Sequence, residues 1–91
     1  MTLWAKRTDG NHAEIRDAMR DMGANVFDLS GAGKGAPDTI VSKDGRIYLI
    51  EIKTPTGKLT KPQEEFHSRF PVHIVRSVLE ARILLTNQPE R

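Results

Sequence analysis

Two acidic residues and a lysine stand where a β-hairpin would ordinarily carry Val or Thr. They are Asp38, which closes GAPD at residues 35 to 38, and Glu51 and Lys53, which bracket EIK at residues 51 to 53. The stretches DTIVS and RIYLIEIK flank Asp44-Gly45, a dipeptide favoured in two-residue type I′ turns. Such a turn sets the register: Lys43 pairs with Arg46, Ser42 with Ile47 and, by the same count, Asp38 with Glu51. Directly opposed residues on one face have Cβ atoms about 4.5–5.5 Å apart, and like charges placed so are destabilising. Lys53, two residues beyond Glu51, falls on the same face.

Two facing carboxylates beside an apolar core repel unless one is protonated or a cation lies between them. With oxygen ligands and no cysteine in the chain, the hard ions Mg²⁺ and Mn²⁺ suit that position better than zinc or copper. The plainer reading makes Glu51 and Lys53 edge residues that salt-bridge to their neighbours.

The elements that position these residues are readable from pattern. Asn11 and Glu14 match a capping box, and Ile15, Ala18, Met19 and Met22 recur at helical spacing until Gly23. NVFDL at residues 25 to 29 reads as a strand, and SGAGKGAP as a loop. After the hairpin, Thr60 and Gln63 form a second capping box with Pro62 in the first turn, and that helix ends before Pro71. VHIVR is a strand, and Ser77 with Glu80 opens a last helix over VLEARILL. The order is α-β-β-β-α-β-α, an α/β sandwich around a mixed four-stranded sheet flanked by helices. Ile47 and Leu49 on one face of the third strand and Tyr48, Ile50 and Ile52 on the other predict a central strand covered on both sides.

Length and composition narrow the class. The 91 residues make one domain, 1–91, and 37% hydrophobic with 29% charged residues is a globular balance and not that of a disordered tail. Absent cysteine removes disulfides and thiol chemistry and fits an intracellular setting. The sequence shows no signal-peptide pattern and no membrane-length apolar run, so a soluble protein is expected. The net charge is only +2, from 14 Lys and Arg against 12 Asp and Glu, so any polyanion site must be local. Lys34, Lys43, Arg46, Lys58 and Lys61 gather around the hairpin in sequence; a solvated rim is the ordinary explanation, and contact with nucleic acid by Lys34, Lys58 and Lys61 is the functional one.

Other residues carry two readings each. Glu14 borders the apolar face of the first helix, where it either looks back at the sheet or serves the capping box. Gln63 stands in the same position with respect to the second helix. GAGKG lacks the Ser or Thr of a phosphate loop and leads into a strand. His67 falls one turn after Gln63, whereas His12 and His73 show no ligand spacing, and all three are expected to be structural or surface residues.

Glu14, GAPD at 35 to 38, EIK at 51 to 53 and Gln63 ten residues on resemble, in order and spacing, the PD-(D/E)xK nuclease pattern, and closely its VRR-NUC branch. GKLTKPQEEFH and HIVRSVLEA look family-like as well, so the similarity spans residues 9 to 85. It implies a restriction-endonuclease-like core and Mg²⁺- or Mn²⁺-dependent hydrolysis of DNA phosphodiesters. It implies that Asp38 and Glu51 bind the metal with the Ile52 carbonyl, that Glu14 holds a metal-bound water or a second ion, that Lys53 orients or activates the attacking water, and that Gln63 positions water or lysine. No accessory DNA-binding or helicase region is seen, as in standalone, virus-type members. These are expected to act as homodimers on branched DNA such as four-way junctions, in the cytoplasm of a bacterial cell. Trp4, Phe66 and Phe70 are candidates for a dimer surface, with a core or flank role as the default. The competing classes are a non-catalytic nucleic-acid-binding module that keeps the fold, and a metal-stabilised structural protein.

Overall fold

Both residues of the Asp44-Gly45 turn have positive φ, 51° and 80°, as a type I′ turn requires. From the turn run β2 (Thr39–Lys43) and β3 (Arg46–Ile52), antiparallel, with Lys43 opposite Arg46 and Thr39 opposite Ile50. This register is the one that the turn dictates; it runs out to Thr39, and Asp38, the next residue outward, lies close to Glu51.

The computed structural model describes residues 11–86; Trp4 lies outside them. Around the hairpin the chain adds α1 (His12–Asp21), β1 (Asn25–Asp28), α2 (Lys61–Arg69), β4 (Val72–Val75) and α3 (Val78–Thr86). β1 joins β2 antiparallel and β4 joins β3 parallel, so the sheet is mixed, in the order β1-β2-β3-β4. A parallel pair needs a crossover, and α2 lies within it. The architecture is the α/β fold and element order expected from the sequence.

Strand alternation divides the sheet. Val41, Tyr48, Ile50, Ile52 and Val75 are buried and form the core with Ile15 and Met19 of α1 and Ala81 and Leu85 of α3. The opposite face carries Ile47, Leu49 and Glu51, and it is covered unevenly: Ile47 at the hairpin end is 73% exposed, while Glu51 at the other end is 2% exposed. The expected two-sided cover of β3 therefore holds only at its C-terminal end. α2 is short, buries none of its own residues, and lies against the sheet through its N-terminal turn.

The start of α1 departs from the expected capping box. Asn11 makes no side-chain cap; its amide donates instead to the Lys53 carbonyl at 3.0 Å and the Arg76 carbonyl at 3.3 Å. The asparagine thus ties the first turn of α1 to the end of β3, at EIK. Thr60 and Gln63 do form their box at α2. At α3 the Ser77 hydroxyl accepts from Glu80 N, and the Glu80 carboxylate accepts from Arg76 N, a bond displaced by one residue from the usual pattern.

The loop before β2 is held by a close approach. Gly35 has φ +79°, and a β-carbon there would collide with the Pro62 carbonyl. Gly33 has a similar φ, +75°, but open space around it. Gly33→Ala is expected to cost about 1 kcal/mol, from backbone strain alone, and Gly35→Ala about 2–4 kcal/mol, because the loop must also leave α2. Urea denaturation of the two variants checks this; equal losses would contradict the close contact.

Candidate functional site

A cavity of about 510 Å³ opens where β3 ends, lined by Asp38, Glu51, Ile52, Lys53 and Gln63 together with His12, Arg16 and Ser30. Five residues expected from sequence are gathered there. Asp38 sits one position before β2, and its Oδ2 accepts a hydrogen bond from Ile52 N at 2.8 Å, extending the cross-strand ladder through a side chain. His12 Nε2 contacts the same oxygen at 3.1 Å.

Glu51 faces in from β3. Its Oε2 accepts from Gln63 Nε2 at 3.1 Å and lies 3.9 Å from Lys53 Nζ. Its Oε1 is buried without a hydrogen-bond partner. Gln63 serves both readings at once, since its Oε1 also accepts from Thr60 N at 2.9 Å. Capping the helix fixes the glutamine backbone and leaves its amide group pointing at the carboxylate.

Burial raises Glu51 from its ordinary value to about 7, the nearby Asp38 carboxylate adds to the rise, and Lys53 opposes it. His67 is shifted down, first by burial and then by the charge of Lys53, and its Nε2 is buried without a partner. Arg76 pins the segment that follows EIK by donating to the carbonyls of Thr54 at 2.7 Å and Gly57 at 2.8 Å.

Other sequence-expected residues lie elsewhere. Glu14 is exposed in the first turn of α1 and does not line the cavity; two residues along a helix turn a side chain through about 200°. The phase of α1, set by the buried Ile15 and Met19, presents His12 and Arg16 to the cavity instead. Lys34, Lys58 and Lys61 are exposed outside the cavity, with Lys34 in a second cleft beside Phe66, Arg69 and Phe70. Lys43 pairs with Asp44 at 2.7 Å, on the hairpin rim. Of the histidines, His12 reaches the carboxylates, a placement that sequence spacing does not announce, although its i, i+4 relation to Arg16 marks a shared face.

No family model matches the sequence, nor does any curated protein. A solved structure described as a VRR_NUC domain matches with a TM-score of 0.65 at 25% identity, over 84% of this chain and 96% of its own. In fold, this chain is similar to that VRR-NUC domain over most of the length of both. The VRR-NUC fold is nuclease-like, and among the described residues no helix is long and apolar enough to cross a membrane.

Whether the site fits a divalent cation is decided by its donors. Among the described residues no three His, Cys, Asp or Glu side chains converge as a ready metal cluster. Mg²⁺ asks for less: one or two carboxylates and retained waters. Glu51 Oε1, buried and unpartnered beside a second carboxylate, is the kind of atom that a cation satisfies and an apolar wall does not.

Glu51 also makes a pH prediction. Its folded value is raised from 4.5 to about 7, so its stabilising contribution is full below about 4.5 and is lost as pH rises through about 7. Metal-free protein is expected to lose roughly 2 kcal/mol between pH 5 and pH 8 that Glu51→Gln does not lose. Chemical denaturation of both proteins in EDTA across that range measures the difference; parallel pH profiles would contradict a raised Glu51.

Proposed function

We propose that this domain is a divalent-metal-dependent DNA endonuclease that hydrolyses phosphodiester bonds, acting on branched DNA such as four-way junctions. The observation that carries the reading is the pairing of buried Glu51 with Asp38 across the hairpin, with Lys53 and Gln63 on the same carboxylate. A structural ion pair would leave neither a buried carboxylate oxygen without a partner nor a second carboxylate beside it.

The cation would be held by Asp38, Glu51 and the Ile52 carbonyl, with Mg²⁺ or Mn²⁺ as the ions of matching hardness. When bound it supplies Lewis acidity and offsets the charge that builds on the phosphate oxygens. The residues of the chain do the rest. Ile52 N and His12 both engage Asp38 Oδ2 and so fix the carboxylate beside Glu51. Gln63 and Lys53 hold Glu51 from the opposite side. Lys53 would bring a point charge to the place where a phosphate gains negative charge, and in this reading it orients the attacking water, the role that the resemblance implies. In this reading Asp38, Glu51, Ile52, Lys53 and Gln63 take the roles that the resemblance implies, and α1 contributes His12 in place of Glu14.

Preference for branched DNA rests on the resemblance and on size. So small a domain has little surface for reading base edges in the major groove, which favours recognition of shape. A homodimer would place two sites about a two-fold axis, the symmetry of a four-way junction.

The test is cleavage of labelled four-way junction, flap and duplex DNA with Mg²⁺, Mn²⁺ or EDTA. Activity is expected on branched substrates with either metal and not in EDTA. Asp38→Asn, Glu51→Gln and Lys53→Ala are each expected to lower the rate by about 10²-fold or more while leaving DNA binding measurable. His12→Ala is expected to raise the Mn²⁺ concentration needed for half-maximal binding by about 10-fold, the scale at which partners that orient ligands act. DNA binding without cleavage in any metal would move the reading to a non-catalytic binding module.

A further inference from the structure

α1 brings a second side chain into the cavity besides His12. Arg16 follows His12 by one turn, on the stripe that buries Ile15 and Met19, and its side chain is only 14% exposed. Among the described residues its ion-pair partner is Asp28, with Nη2 3.9 Å from Oδ2, beyond hydrogen-bond reach. Asp28 is committed elsewhere: its Oδ1 accepts from Ser30 N at 2.8 Å, and hydrogen bonds from Ser30, more than the charge of Arg16, hold that carboxyl below its ordinary value.

A guanidinium carries five donors in a planar fork that matches two oxygens of a phosphate or carboxylate. An arginine kept for structure normally spends that fork on a bidentate pair. Here Arg16 is largely withdrawn from water and set in the cavity wall, and its carboxylate partner stands at arm's length.

The charges of the cavity point to what it receives. A phosphodiester entering beside Asp38 and Glu51 is repelled by both, and Lys53 already stands 3.9 Å from Glu51. Arg16 is the cavity cation whose partner lies on the rim, half exposed, and not among the two carboxylates.

We propose that Arg16 binds the non-bridging oxygens of a DNA backbone phosphate lying in the cavity next to the one attacked, so that α1 positions the substrate strand. The assignment rests on the nuclease reading above and adds a phosphate subsite to it.

The test is DNA binding in an Asp38→Asn background in EDTA, with fluorescein-labelled duplex and four-way junction DNA followed by anisotropy across a salt series. Arg16→Ala and Arg16→Gln are expected to weaken binding about 10-fold and to lower the slope of log affinity against log salt by about 1. Arg16→Lys keeps the cation without the fork, so it should retain the slope and lose affinity several-fold. Arg20→Ala, which removes an exposed partner of Asp17, should change neither quantity. Thermal melting confirms that each variant folds; if the neutral variants do not, Arg16→Lys decides alone, with wild-type affinity overturning the proposal. Folded neutral variants with an unchanged slope would also overturn it while leaving the nuclease reading intact, whereas a parent protein that binds neither DNA would remove both.

Discussion

Glu51 is almost sealed from solvent at the end of a central strand, with the partly buried Asp38 beside it, and a buried carboxylate next to a like charge is among the least favourable arrangements that a small fold can carry. Much of the surrounding structure bears on this strain. Gln63 and Lys53 approach one oxygen of Glu51, and Ile52 N and His12 engage one oxygen of Asp38. Each carboxylate is therefore held on one side, and Glu51 still keeps an unpartnered buried oxygen. Protonation relieves the strain in the absence of metal, and a divalent cation would relieve it while keeping both groups charged.

The scaffold is economical in how it sets these atoms in place. One tight turn at Asp44-Gly45 brings Asp38 close to Glu51 from thirteen positions away in sequence. The rest of the fold supplies walls. Asn11 ties α1 to the carbonyls of Lys53 and Arg76, Gly35 lets the loop before β2 press against Pro62, and the Thr60 cap sets the direction of Gln63. α1 and α3 cover one face of the sheet with the apolar core and leave the other to the site, which explains why Ile47 can stay exposed on the strand that buries Glu51.

What could be read from the sequence was what local chemistry determines. The Asp-Gly turn carries its own register, so the elements and the approach of Asp38, Glu51 and Lys53 followed from short stretches, whereas the Thr60 and Gln63 box gave the helix start and only the resemblance brought Gln63 to the site. The apolar stripe of α1 was legible too, and Ile15 and Met19 are buried as read, but which polar residue beside that stripe meets the cavity was not: Glu14 lies two residues, about 200°, from both His12 and Arg16, and it is these two that line the site. Asn11 shows the same limit: its cap signature is genuine, but two backbone carbonyls from distant segments compete for the side chain and win. The cover on β3 also escaped, because an apolar strand face does not reveal how far the helix above it extends.

The measurement that bears most directly on this account is anomalous diffraction from crystals of the protein soaked with Mn²⁺ above neutral pH. A single strong peak within coordinating distance of Asp38 Oδ1, Glu51 Oε1 and the Ile52 carbonyl is the expected result. A map with no peak there, or with manganese bound only at Glu14 or elsewhere on the surface, would contradict the central claim that the paired carboxylates of Asp38 and Glu51 are a cation site.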